Sequence, residues 1–260
     1  MLFKNNKNKK IIFHKSDIGF VRSKNEDYSW SGTNSVLDNL LIVSDGVGSY
    51  SGSEKASQIV SKVFIKSFLN KEYVGVDVKK WFEKNIKRIK SIMAEHIRTN
   101  PFHSSMATTL VLALVIKKDA HIFWIGDSRA YIISKKEASL ITEDHNLLNH
   151  LINLNLNESE ISKYGKYLSS ITNSISCNSE AKQKYDYEHL VVKKNNFIFL
   201  ASDGFYNFYE LNNLYNVLSD DANASFSSEE LISSAITNGS NDNISFSYYG
   251  VVKNYDGTDN

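Results

Sequence analysis

The stretch LLIVSDGVGSYSGSEKASQIVSKVF, residues 40–64, decides how this chain is read. An apolar run ends on a carboxylate, Asp45, with Gly46 beside it, and a segment of helical spacing follows. The run Leu37–Ser44 predicts a strand. Residues 52–69, with Ala56, Ile59, Val60, Val63, Phe64 and Ser67 on one side, predict a helix. The same ending recurs along the chain. Gly126-Asp127 follows HIFWI, Asp203-Gly204 follows FIFLAS, Asp242-Asn243 precedes ISFSYYG, and Asn25-Glu26-Asp27 adds an acidic pair near the start. One Asp-Gly pair is an ordinary turn former; the joint pattern carries the argument. Carboxylates gathered at strand ends suit hard divalent cations bound through oxygen, and Mg²⁺ and Mn²⁺ sites of that kind handle phosphate. Arg22 stands just before the first acidic pair, and its planar fork can grip a phosphate with two parallel hydrogen bonds. The pattern points to metal-assisted hydrolysis of a phosphoester.

Composition narrows the field. The 260 residues suffice for a substantial core, and a net charge of +1 gives no overall drive toward nucleic acid or an anionic membrane. The single cysteine, Cys177, excludes an intrachain disulfide framework and a cysteine-based zinc cluster; its neighbourhood SISCNSE offers no activating base, so an inert thiol is expected. The best apolar run, MATTLVLALVI, falls short of the ~20 residues a membrane helix needs. A soluble, cytoplasmic, monomeric protein is expected. With one proline and no Gly/Ser linker, residues 1–260 read as a single domain, its core at about 12–252 and its termini frayed.

Further strands are predicted at Ile11–His14, Met106–Ile116, Ala120–Ile125, Ala130–Ser134, Tyr185–Val192, Phe197–Ala201 and Ile244–Val252. A second long helix is predicted over Val78–Arg98, and shorter ones over Leu147–Asn155, Glu210–Leu218 and Ser228–Thr237, the last announced by the capping signature Ser227-Ser228-Glu229-Glu230. Strands, two long helices, strands, short helices and strands do not alternate as a doubly wound parallel sheet requires. An antiparallel α+β architecture, two packed sheets with helices outside, fits better.

Seven segments in order, SDIGFVRSKNED, SDGVGSYSGSEKAS, MATTLVLALV, WIGDSRAYI, TEDHNLLNHLI, ASDGFYNF and GSNDNISF, resemble the PPM family, the metal-dependent type 2C serine/threonine protein phosphatases in their compact bacterial form. The resemblance runs from about Ile12 to Val252. It implies a central β-sandwich flanked on both sides by helix pairs, and hydrolysis of protein phosphoserine and phosphothreonine in opposition to a serine/threonine kinase. It also implies roles for single residues. Asp45 would bridge two Mn²⁺ or Mg²⁺ ions, with the Gly46 carbonyl on one and Asp203 and Asp242 completing the other. Glu26 and Asp27 would serve the second site directly or through water, Asp127 with Asp203 would hold a third, weaker ion, and Arg22 would grip the phosphate. A metal-bridged hydroxide would attack phosphorus in line, with no covalent phosphoenzyme.

The chain departs from the family pattern at several places. Val47 stands where eukaryotic relatives carry a histidine general acid, so the leaving group would take its proton from water or a metal-bound water. Ser49, Ser53 and Ala107 replace common glycines, changes that touch backbone shape more than ligands. His145 reads as a hydrogen-bonding scaffold residue and His103 as an exposed loop residue near the site entrance. Tyr206 and Phe208 read as core or subunit-face aromatics. Asn155–Ser170 lies where family members carry a variable flap; Tyr164 and Tyr167 could contact substrate there, and an ordinary helical hairpin explains the stretch equally well. Two other readings remain at this stage: a silent family member acting as a binding module, and a hydrolase of small phosphoesters.

Overall fold

The computed structural model describes residues 8–47, 51–177, 182–219 and 224–253; Ser49 lies outside them. Strands β1 (Asn8–Asp17), β2 (Tyr28–Thr33) and β3 (Asn39–Ser44) come first, then the helices α1 (Ser53–Leu69) and α2 (Val78–Thr99). Strands β4 (Leu110–Ile116), β5 (Asp119–Ile125), β6 (Arg129–Ile133) and β7 (Ala138–Leu140) follow, with α3 (Leu147–Asn153) and α4 (Glu158–Ile161) after them. The chain continues through β8 (Asp186–Val191), β9 (Phe197–Ala201), α5 (Asp203–Tyr206), α6 (Leu214–Ser219) and α7 (Ala224–Thr237) to β10 (Ile244–Lys253). Two five-stranded antiparallel sheets result, ordered β1-β10-β9-β6-β7 and β2-β3-β4-β5-β8.

Side-chain parity stacks these elements in four layers, because neighbours along a strand face opposite sides. Leu41, Val43, Val111, Ala113, Ile122 and Trp124 meet Ala130, Ile198, Leu200 and Tyr249 between the sheets. Their neighbours Leu40, Ile42, Leu112, Leu114 and Phe123 pack outward on α1 and α2. On the opposite side Phe197, Phe199, Phe246 and Tyr248 pack on α5, α6 and α7. All six residues of β3 are therefore buried, which is why it reads as one unbroken apolar run. The expected α+β sandwich is the fold found.

Stacked aromatic rings lock the first helix pair to its sheet. Phe82 lies 4.3 Å from Phe123 and 5.2 Å from Phe64 by ring centroids, and Trp81 meets Phe64 edge-on at 5.5 Å. The buried Ser67 hydroxyl accepts from Trp81 Nε1 at 2.8 Å and Asn85 Nδ2 at 3.1 Å, so the polar groups inside this layer are matched.

Several local expectations need correction. Strands β2 and β7 were not anticipated. Residues 106–109 leave the β4 ladder and instead clasp the Asp45 loop. The segment Glu210–Leu218 divides into a 3-10 turn at Leu211–Asn213 and α6. Helix α7 begins at Ala224, so Ser227-Ser228 is not its cap: both serines are buried and continue the inward stripe of Leu231, Ile232 and Ala235, and tertiary packing carries the helix past the local cap signal. His103 is half-buried, with its Nδ1 2.8 Å from His96 Nε2. Cys177 is partly buried against the layer under α1 and α2. Residues 155–170 form α4 and a 3-10 segment, with Tyr164 and Tyr167 exposed. No helix among the described residues is long and apolar enough to cross a membrane.

Phe82→Ala should destabilise the protein by about 3–5 kcal/mol, the usual scale for a truncated core phenylalanine. Urea denaturation of both proteins measures it.

Candidate metal centre

Asp45 leaves the end of β3 with its backbone clamped. Its N–H donates to Thr109 Oγ1 at 3.0 Å, and its carbonyl accepts from the Thr109 N–H and Thr108 Oγ1, each at 2.8 Å. These bonds fix the Asp45 backbone, and its carboxyl shares a hydrogen bond with that of Asp203. Gly46 N–H donates to the Glu26 carbonyl at 3.2 Å, which brings the Glu26-Asp27 loop alongside. A Cβ at Gly46 would stand 2.7 Å from that carbonyl oxygen, so no larger residue lets the two segments touch.

The second pair of acids meets in the same way. Asp203 opens α5 at the end of β9, and Asp242 precedes β10. A Cβ on Gly204 would lie 2.0 Å from the Asn243 carbonyl oxygen. Neither Gly46 nor Gly204 adopts a left-handed φ. Glycine follows these aspartates because two chain segments must approach closely, not because a turn needs the conformation.

Asn243 ties the ends of the chain together: its Oδ1 accepts from the Glu26 N–H at 2.8 Å, while its Nδ2 donates to the carbonyls of Ile18 at 2.8 Å and Lys24 at 2.9 Å. Ser202 Oγ donates to Asp27 Oδ2 at 2.7 Å. Arg22 donates from Nη2 to Asp242 Oδ2 at 2.7 Å and from Nε to the Asn241 carbonyl at 3.3 Å, at the exposed rim.

Asp127 arrives from β5. Tyr206 donates its hydroxyl to the Asp127 carbonyl at 3.0 Å, and Arg129 stacks on the Tyr206 ring at 4.0 Å while making a two-pronged bridge to Asp144 at 2.9 and 2.8 Å. His145 acts as the expected scaffold. Its Nδ1 accepts from the Gly126 N–H at 3.2 Å, which places the proton on Nε2 toward Asp186 at 3.1 Å. Tyr206 therefore borders the candidate site as well as the core. Thr108, Thr109, Ser202 and Asn243 also position it; the only sequence signals for them were the paired threonines and the asparagine beside Asp242.

Electrostatics confirm how crowded the acids are. Burial raises the Asp45 carboxyl well above its ordinary range, with Asp27, Asp203, Asp127 and Asp242 all pushing the same way. Burial lifts Asp27 to about 7, aided by Asp203 and Asp242 against opposing hydrogen bonds from Ser202 and Ser245. Asp127 rises to about 7 through burial and then Asp203, and Asp203 is raised by burial and then Asp242. Glu26 is raised mainly by burial. Carboxylates held together out of water, with the Arg22 guanidinium at the rim, form a donor set that fits hard divalent cations. Among the described residues no three His, Cys, Asp or Glu side chains converge as ligands of one ion.

A family model for protein phosphatase 2C matches residues 22–238. The chain belongs to the protein phosphatase 2C family. A relative from Mycoplasma genitalium is 35% identical over 243 residues, covering 90% of this chain and 93% of its own. The crystal structure of the serine/threonine phosphatase Stp1 from Staphylococcus aureus superposes with a TM-score of 0.77 at 26% identity, covering 92% of this chain and 94% of that one. The catalytic domain of the serine/threonine protein phosphatase PstP, in complex with two manganese ions, has a TM-score of 0.71 over 94% of this chain and all of its own. At 23% identity that likeness shows the phosphatase 2C fold alone.

The raised carboxyls set a pH dependence for this phosphatase 2C chain without metal. Asp27 and Asp127 bind protons more tightly folded, at about 7, than at the ordinary carboxylate value of 3.8. Their contribution to stability is complete below about 4 and lost as pH rises through about 7. In EDTA the unfolding midpoint should therefore fall between pH 5 and pH 8, and saturating Mn²⁺ should reverse the fall. Thermal unfolding at the two pH values, with and without the ion, measures this.

Proposed function

We propose that the chain is a Mn²⁺- or Mg²⁺-dependent protein phosphatase that hydrolyses phosphoserine and phosphothreonine and opposes a serine/threonine kinase, acting as a single domain. The observation that carries this reading is the cluster of mutually repelling carboxylates from separate strand ends, with Arg22 at its rim. The likeness to the Staphylococcus aureus serine/threonine phosphatase supports the substrate class, and the buried, oxygen-only donor set supports a hard divalent metal.

In this reading Asp45, the Gly46 carbonyl, Asp203 and Asp242 would hold two ions, Glu26 and Asp27 would serve them directly or through water, and Asp127 with Asp203 would hold a third. Bound there, the ions would supply an activated water and neutralise charge on the phosphoryl group. The chain's own residues supply placement. The backbone clamps on Asp45 and the Asn243 tie keep the acid-bearing segments in register, so that side-chain rotation is what brings the carboxylates onto an ion. Arg22, already at the edge of the cluster, turns its fork to the phosphate oxygens and fixes the ester relative to the acids. Val47 cannot donate a proton, so the leaving alkoxide takes one from solvent.

Phosphate release from a phosphothreonine peptide, with Mn²⁺ against EDTA, tests the reading. Asp45→Asn and Asp203→Asn should each cut kcat by more than the roughly 10–100-fold typical of losing an outer-shell partner. Both should keep the fold, since each removes a repelling charge. Unchanged turnover in either variant rejects the site assignment. Arg22→Ala should act mainly on KM, raising it roughly 10-fold or more, the scale of a lost charge-assisted hydrogen bond.

A further inference from the structure

The chain's net charge of +1 hides a strong separation. Residues 53–99, spanning α1 and α2, hold eleven lysines and arginines against five acids, a net +6, so the remaining chain carries −5. Between the two helices runs a groove of about 530 Å³. Ile59, Val63 and Ile92 form its floor, and Ile92 is 40% exposed. Lys55, Lys62 and Lys66 line one rim; Arg88, bridged to Glu72 at 3.2 Å, lies opposite.

Helix stability explains only part of this lysine row. Lys66 lies in the last turn of α1, where the helix dipole favours a cation, but Lys55 sits in the first turn, where it does not, and Lys62 and Lys66 are like charges four residues apart. Among the described residues, no carboxylate lies within ion-pair distance of Lys55, Lys62 or Lys66, whereas Lys84 and Arg88 across the groove share Glu72.

The groove also has a direction. Lys55 and Gln58 line both it and an adjoining cleft of about 390 Å³, whose other walls include Lys24 and His103 with the acids Glu54 and Glu26, the latter at the edge of the carboxylate cluster. A chain lying along α1 thus passes from the basic groove into the candidate centre.

We propose that this groove docks an acidic segment of the phosphoprotein substrate, its Asp and Glu side chains on the lysine row and its interspersed apolar residues on the isoleucine–valine floor. The docked segment delivers the phosphorylated residue through the cleft at Lys55 and Gln58. This rests on the phosphatase reading above. The aliphatic floor, with no aromatic ring among the groove's lining residues to stack a base, favours a peptide over nucleic acid, and its concavity favours a peptide over a flat lipid surface.

Two measurements on the full chain test it. The first is anisotropy of a fluorescent, unphosphorylated peptide of alternating acidic and aliphatic residues. The second is Mn²⁺-supported turnover of phosphothreonine peptides carrying that segment before or after the phosphoresidue, against versions with Asn and Gln for the acids. Docking predicts that the labelled peptide binds and that Lys62→Glu/Lys66→Glu weakens it by about 10-fold or more. Lys79→Glu/Lys80→Glu, the same charge change outside the groove, should leave binding nearly unaltered. The better acidic peptide should exceed its neutral version about tenfold in kcat/KM, a ratio that falls to about one in the Lys62/Lys66 variant. Absence of binding, or equal turnover of acidic and neutral peptides, overturns the proposal. So does tighter binding of oligouridine or phosphatidylglycerol vesicles that displaces the labelled peptide, which reassigns the groove to another ligand. Peptide binding lost in the Lys62/Lys66 variant, with no peptide hydrolysed by the native chain, keeps the docking surface and removes the phosphatase reading.

Discussion

Bringing several carboxylates together out of water is the constraint around which this molecule is organised. Each acid is desolvated, and each lies in the field of the others. Left to themselves such groups would separate or take up protons. They stay together because their backbones are held: Asp45 by Thr108 and Thr109, the Glu26 loop by Asn243, and Asp127 by Tyr206 and His145. The sandwich supplies the rigidity these ties need, since its three buried layers leave the strand ends little freedom to spread. Repulsion within the cluster makes the folded chain a poor container for itself and a good one for cations.

Much of this was legible in the sequence because burial and chemistry left separable signs. A strand covered on both faces is a continuous apolar run, as in β3 and β9. A long helix with one buried side repeats at three to four residues, as in α1 and α2. The acids were visible because they interrupt such runs at their ends, and the structure brings Asp27, Asp45, Asp127, Asp203 and Asp242 within each other's fields. Arg22 was expected beside them and contacts Asp242.

What escaped the sequence was mostly long-range. Strand β2 shows little apolar pattern of its own and exists because β3 offers it a partner along its whole length. The run 106–109 is as β-prone as the rest of β4, yet it bends away to serve Asp45 and Ile175, as the bridges of Thr108 to Gly46 and Ile175 show. The start of α7 was misplaced because a local cap signal competed with inward packing that lies beyond a local window. The role of the glycines was also hidden: a dipeptide that usually marks a turn here marks where another segment passes within van der Waals reach.

The pairing of β1 with β10 has a bearing on how the molecule is made. These strands run side by side from Asn8 with Lys253 to Asp17 with Ile244, so β1 completes this ladder only after β10 has been translated. Arg22 and the Glu26-Asp27 loop depend on that closure, since Asp242 and Asn243 are their partners. A nascent chain that has not yet reached Asp242 and Asn243 lacks the rim that completes the cluster. Contacts this distant in sequence form late and slowly. Assembly of the centre thus waits on the synthesis of β10, and a chain halted before it is incomplete at the very place where its chemistry would occur.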